Sequence, residues 1–161
     1  MTTPTFKASL DNASKLISGA IILFALVFVL FGLFIFTEDR IALILPIVIL
    51  LAVSGFTYLY SPKGYSIENN FILVHRLVGL KKIPRSEIYE IRAISEEELG
   101  TTWRMFGNGG LFGYTGWFST SMGKMRWYLS QRKNYVLFRL NNEGLILISP
   151  DDVEGFLQAS M

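Results

Sequence analysis

The sequence predicts a two-helix transmembrane hairpin followed by a mainly-β domain that one C-terminal helix closes. Three observations carry this. Two uninterrupted apolar runs, residues 16–36 and 41–60, are separated only by Thr37, Glu38, Asp39 and Arg40. From Tyr65 the chain changes to short runs rich in β-branched and aromatic residues. After Ser149 it changes again, to apolar residues at helical spacing.

A hydrocarbon core of roughly 30 Å takes about 20 residues at 1.5 Å rise, so each apolar run is long enough to cross it. Lys7 and Lys15 precede the first run in the manner of a signal peptide. The run is too long for a typical signal core, however, and a second follows at once, which predicts an uncleaved hairpin. Lys7 and Lys15 lie before the first span, Arg40 alone between the spans, and Lys63 and Arg76 after the second. The positive-inside rule then places both termini on the cytoplasmic side, with residues 1–15 as a cytoplasmic tail. Pro46 stands near the start of the second helix, Tyr58 and Tyr60 suit an interfacial aromatic belt, and Ser61-Pro62 ends the span. Neither span holds a GxxxG pattern, and Gly19, Gly32 and Ser54-Gly55 suit close packing within the hairpin. A second copy of the chain stays open as a partner.

The remainder, residues 64–161, has the size of one domain. Strands are expected at 65–68, 71–76, 81–83, 88–94, 124–129, 135–140 and 145–149. Asn69-Asn70 and residues 141–144 supply hairpin turns, the first because Asn tolerates positive φ. Seven short strands predict a small sandwich or barrel. Ser149-Pro150-Asp151-Asp152 reads as an N-cap, a first-position proline and an acidic first turn. Val153, Phe156 and Leu157 then form the stripe that covers one end of the strands.

Composition narrows the function. The net charge is +2, and from Gly64 onward eleven Lys/Arg face ten Asp/Glu. That is no basic footprint for a phosphate backbone, so nucleic acid is not expected as a partner. The chain has no cysteine, hence no disulfide, thiolate nucleophile or thiolate-bound metal. His75, the only histidine, has no metal-ligating neighbours and reads as structural. Glu96-Glu97-Glu98 reads as a solvated run, with a cation or basic partner as the alternative. Ser119, Thr120 and Ser121 have no base near them in sequence. No enzymatic activity, cofactor or metal is expected.

Residues 103–118 hold five glycines and six aromatics. Gly107-Asn108-Gly109 lacks the Gly-Lys-Ser/Thr of a phosphate loop, and Phe112 stands where a dinucleotide fingerprint needs its third glycine. The pattern Arg104-x-x-Gly107-x-Gly109-Gly110-Leu111-Phe112-Gly113-x-x-Gly116-x-Phe118, with Ser149-Pro150-Asp151-Asp152-x-Glu154-x-Phe156 after it, resembles the bacterial pleckstrin-homology-like (PH) domain family in its membrane-anchored form. The resemblance covers roughly 64–161. It implies two packed antiparallel sheets of about seven strands with a C-terminal capping helix, and no catalysis. Eukaryotic relatives that bind phosphoinositides use basic residues at the first strand connection. Here that connection is Asn69-Asn70 beside Glu68, which does not support such a pocket.

The glycine-aromatic segment has three readings. Trp103, Phe112 and Phe118 fill a core around a bulged strand pair; the segment is a protein-binding surface; or Trp117, Phe118 and Met122 dip into headgroups near Lys124 and Arg126. Residues 61–64 extend only about 14 Å, so the domain sits close to lipid in each case. The expected function is a non-catalytic module at the cytoplasmic face of a bacterial inner membrane that recruits or stabilises a protein partner. Trp103, Arg104, Phe112, Tyr114 and Trp117 are its binding residues. One alternative is an anionic-lipid sensor acting through Arg76, Lys81, Lys82, Lys124 and Arg126. The other is an accessory subunit that acts through its transmembrane helices.

Overall fold

The computed structural model describes residues 4–35 and 41–160. Phe36 and the Thr37–Arg40 gap read as separating the spans lie outside the described residues. Helix α1 (Asn12–Ile35) and helix α2 (Ile41–Tyr60) correspond to the two apolar runs. α1 starts four residues earlier than its apolar run because Asp11 caps it: Asp11 Oδ1 accepts the Ser14 N–H at 2.7 Å. The stretch Asn12–Gly32 has a mean hydropathy of 2.4 and is only 11% buried, so it is long and apolar enough to cross a membrane. In α2 the described apolar stretch is Ile44–Tyr60. A Cβ added at Gly19 or Gly55 would meet no atom within 4 Å, so neither glycine is a close-packing point.

Among the described residues ten strands form two sheets, where the sequence predicts seven strands. The first sheet has the order β1 (Thr5–Lys7), β2 (Gly64–Ile67), β3 (Phe71–His75), β4 (Leu80–Pro84), all antiparallel. The second runs β5 (Ile88–Ile94), β9 (Tyr135–Leu140), β10 (Leu145–Ile148), β8 (Gly123–Leu129), β7 (Gly113–Thr120), β6 (Trp103–Gly110). β1 lies in the stretch read as a tail; three residues after a proline carry too little pattern to announce a strand. β6 and β7 are the glycine-aromatic segment itself, whose glycines mask the alternation of a hairpin.

The second sheet is not wholly antiparallel, because β10 pairs antiparallel with β9 but parallel with β8. The connection from Ser130 to Asn134 arches over the end of β10, which slots between its two neighbours. Ser149 lies under that arch. Its Oγ accepts the Ser130 N–H at 3.0 Å and the Gln131 N–H at 3.3 Å. Its hydroxyl is therefore committed to the sheet and does not cap the last helix. Asp152 takes that role for α4 (Val153–Ser160), its Oδ1 accepting the Gly155 N–H at 2.9 Å.

The two predicted turns form, with different chemistry. Glu68 N–H bonds Phe71 O around Asn69-Asn70, yet neither asparagine has positive φ. In the second turn it is Glu143, at φ 62°, that takes the left-handed conformation. α3 (Glu96–Leu99) absorbs the acidic run into a helical turn closed by a Ser95/Glu98 capping box, and ion pairs join Glu98 to Arg92 and Glu96 to Arg132.

Alternation along β9 and β10 buries both faces of the second sheet. Val136, Phe138, Ile146 and Ile148 face the first sheet together with Tyr65, Ile72, Val74 and Ile83. α4 inserts Phe156 there, fully buried, against the rings of Phe6 and Phe138. On the other face Leu137 and Leu147 meet Leu99, Tyr114 and Met125, with Phe118 stacked on Trp127 at 4.0 Å between centroids.

One buried polar link joins the layers. Tyr65 donates to Tyr128 O at 2.7 Å and accepts the Ser149 N–H at 3.2 Å. Burial pushes its phenol up to about 12, so it stays a neutral donor across the working pH range. Tyr65→Phe leaves a buried carbonyl and a buried amide unpaired and should cost about 1–3 kcal/mol, read as a lower unfolding midpoint of the full chain in detergent. Asp11→Ala removes the cap of α1 and should cost about 1–2 kcal/mol in the same assay. Burial would raise the Asp11 carboxyl, but hydrogen bonds led by the Ser14 and Arg132 amides hold it below its ordinary 3.8. Its contribution is present in full above pH 3.8 and fades as the pH falls below that value. The gap between Asp11→Ala and the native chain should therefore be equal at pH 7 and pH 5 and close on further acidification.

Candidate functional site

The helices meet the β domain through fixed contacts rather than a loose linker. Beyond capping α1, Asp11 Oδ2 accepts the Arg132 N–H at 2.9 Å and the Tyr114 hydroxyl at 3.4 Å. Phe112 N–H donates to Ser18 Oγ at 2.9 Å, while the Phe112 ring lies edge-on to Tyr58, 5.1 Å between centroids. One residue of the β6–β7 turn thus touches the beginning of α1 and the end of α2. Val78 N–H bonds Leu59 O at 3.2 Å, fixing the β3–β4 turn to the end of α2. Leu77, Val78 and Leu80 are exposed in and beside that turn.

The β6–β7 hairpin is sharply bent. Gly107 at φ 112° and Gly116 at φ 137° face each other, and a Cβ on Gly116 would fall 2.1 Å from Phe106 O. A Cβ on Gly109 would lie 3.2 Å from Arg104 Cδ, although five residues of straight strand would span about 16 Å. The bend folds the Arg104 stem back over the strand and makes one side of the hairpin concave. Asn108 secures the turn: its Nδ2 donates to Leu111 O and Gly113 O, and its Oδ1 accepts the Leu111 N–H.

Two clefts adjoin this concavity. The helix-side cleft, of about 630 Å³, lies between Ile17 and Ile21 of α1, Val53, Phe56 and Tyr60 of α2, and β6–β7, with Arg104 on its wall. The basic cleft, of about 510 Å³, holds Lys81, Lys124, Arg126 and Trp117, with Glu143 also on its lining. Arg126 and Tyr128 line both and form their common boundary. Lys124 Nζ and the Arg126 guanidinium stand 4.7 and 5.1 Å from the centroid of the Trp117 ring. The Arg126 Nε is buried and meets no hydrogen-bond acceptor among the described residues. Among those residues, none of Lys81, Lys124, Arg126 or Arg104 makes an ion pair.

The five residues expected to bind a protein partner do not form one surface. Tyr114 is 5% exposed and belongs to the core, because its position on β7 shares the inward face with Phe118. Phe112 is engaged with α2, Trp117 belongs to the basic cleft and Arg104 to the helix-side cleft. Trp103 is 74% exposed on the edge strand β6, beside exposed Met105 and Phe106, so it fills no core. Of the five residues expected at lipid, Lys81, Lys124 and Arg126 converge. Arg76 lies over the Tyr60 ring, 5.4 Å from its centroid, and Lys82 over Phe71 at 5.5 Å. Ile17, Ile21 and Val53 were not anticipated, since nothing in an apolar run distinguishes the residues that will face a strand.

His75 hydrogen-bonds Ser66 Oγ at 2.7 Å, a contact within the first sheet. Among the described residues, no three His, Asp or Glu side chains are grouped to hold a metal ion. Comparison with curated proteins finds no match, and comparison with solved structures finds none either. A family model described as Bacterial PH domain matches residues 63–161, more than half of the chain. That match, together with two sheets and a closing C-terminal helix, identifies the chain as a member of the bacterial PH domain family.

Proposed function

We propose that this chain is a membrane-anchored, non-catalytic interaction module at the cytoplasmic face of a bacterial inner membrane, and that its β domain contacts anionic lipid beside its own anchor. α1 and α2 form the anchor as a hairpin. Contact of Phe112 with both the start of α1 and the end of α2 supports this, since it sets those two helix ends at one level. Lys63 over the Tyr58 ring and Arg76 over Tyr60 suit the boundary between headgroups and water.

The observation that carries the reading is the convergence of Lys81 of β4 with Lys124 and Arg126 of β8, from two strands in two different sheets, around Trp117. Three cations gathered with no ion pair among the described residues, and with Glu143 as the one acid on the lining, repel one another. An anionic surface offsets that repulsion by about 1 kcal/mol per basic residue close to it. Screening limits the effect to about 10 Å at ordinary salt, a reach consistent with a domain clamped to its helices.

A protein partner is supported by a different observation. β6 is the outer strand of its sheet, and it exposes Trp103, Met105 and Phe106. An edge with exposed rings suits addition of a strand from another chain, with Trp103 as an anchor.

Lysine footprinting of the full chain in nanodiscs tests the lipid reading. With an uncharged amine reagent, Lys81 and Lys124 should label several-fold more slowly in phosphatidylglycerol discs than in phosphatidylcholine discs. High salt should remove the difference, and Lys82, on the outer face of the strand that carries Lys81, serves as the reference. Equal labelling in both lipids would refute it. For the edge strand, Trp103→Ala with Phe106→Ala should abolish a protein crosslink formed in native membranes while leaving the unfolding midpoint unchanged; persistence of the crosslink would remove β6 as the contact.

A further inference from the structure

We propose that the helix-side cleft binds a single anionic phospholipid, with an acyl chain between the helices and the bent hairpin and the phosphate between Arg104 and Arg126. The inference rests on the membrane-anchored reading and adds to it a stoichiometric ligand in a defined place.

The walls decide the class of ligand. Ile17, Ile21, Val53 and Phe56 supply hydrocarbon from the helices, and Phe106 supplies a ring from β6. Gly107 and Gly116 add backbone to the strand side, and the Arg104 stem covers Gly109. From Val53 to Tyr60 the helix side extends about 10 Å at 1.5 Å per residue, enough to follow the upper part of a chain. The volume of about 630 Å³ falls inside the roughly 300–1,000 Å³ typical of small-molecule sites. A water-borne polar ligand would leave most of this wall unmatched. A lipid reaches it from the bilayer, because the outer faces of α1 and α2 are themselves exposed hydrocarbon.

The polar groups decide the headgroup. Arg104 and Arg126 both line this cleft, and neither makes an ion pair among the described residues. The buried Arg126 Nε has no acceptor in those residues, and a phosphate oxygen supplies one. Guanidinium groups take phosphate in a two-bond fork, which an ammonium cannot reproduce. Beyond Arg126, Lys81 and Lys124 continue the positive field in which a net negative headgroup, rather than a zwitterionic one, is stabilised.

The test uses the full chain purified in mild detergent from bacterial membranes and examined by native mass spectrometry. One phospholipid per chain, enriched in phosphatidylglycerol over phosphatidylethanolamine, is expected to survive purification. Val53→Trp, which fills the cleft from the helix side, should lower the lipid-bound fraction by about tenfold or more. Arg104→Gln with Arg126→Gln should abolish the headgroup preference. Lysine footprinting of Val53→Trp in nanodiscs should match the native chain, so loss of the bound lipid with unchanged footprinting separates this site from the general surface contact. A lipid-free native chain, lipid retention in Val53→Trp equal to that of the native chain, an unchanged headgroup preference in the double arginine variant, or a chain dimer occupying the cleft in place of lipid would each overturn the proposal.

Discussion

The Asp11 carboxylate is the joint on which the rest depends. One oxygen caps the first turn of α1, and the other accepts the Arg132 amide and the Tyr114 hydroxyl. A long apolar helix and the β domain are thus fastened to the same side chain. Because the joint is a cap rather than a linker, the sheet packs directly against the first turns of the helix. Phe112 on Ser18 and Tyr58, and Val78 on Leu59, then fix the other ends of the same contact. With those points set, the space between helices and hairpin becomes a cleft of defined shape.

The second requirement is a hairpin that can turn towards the helices while its sheet stays packed. Tyr114 and Phe118 hold one face of β7 in the core, and their partner Trp127 is fully buried. The opposite face of β7 and β8 then carries Thr115, Trp117 and Arg126 towards the clefts. Gly107 and Gly116 supply the bend, since each approaches the opposing backbone more closely than any side chain allows. The glycine-aromatic composition is thereby divided. Aromatics at alternate positions hold the sheet, and glycines between them release it to curve.

Much of this was legible in the sequence where the signal was local. The two apolar runs gave both helices, and alternation gave β9 and β10. The stripe of Val153, Phe156 and Leu157 gave the packing face of α4. Features settled by tertiary pairing were not legible. β1 exists because β2 offers an edge to Thr5–Lys7, and nothing within those three residues demands it. Ser149 has the chemistry of a helix cap, but the arch over β10 claims its hydroxyl first. Tyr114 and Trp117 look alike as aromatic residues in a glycine-rich segment. The pleat sends one into the core and the other among cations, and its register follows from the pairing with β8.

Charge shows the same limit and points to function. Eleven basic residues against ten acidic ones describe the region from Gly64 onward as nearly neutral, yet the fold sorts them by place. Glu90, Glu96 and Glu98 pair with Arg92, Arg132 and Arg139 around β5, β9 and α3. Towards the other edge of that sheet, Arg104, Lys124 and Arg126 find no such acid among the described residues, and Lys81 reaches across from the first sheet to join them. Exposed ion pairs contribute little to stability, so the acids near β5 do not account for the fold. Their effect is on the field, because acids spent on their own neighbours leave the face that meets the helices positive. Asp11 and Phe112 hold that positive face beside the two apolar helices, and the near-zero sum of charge conceals the separation.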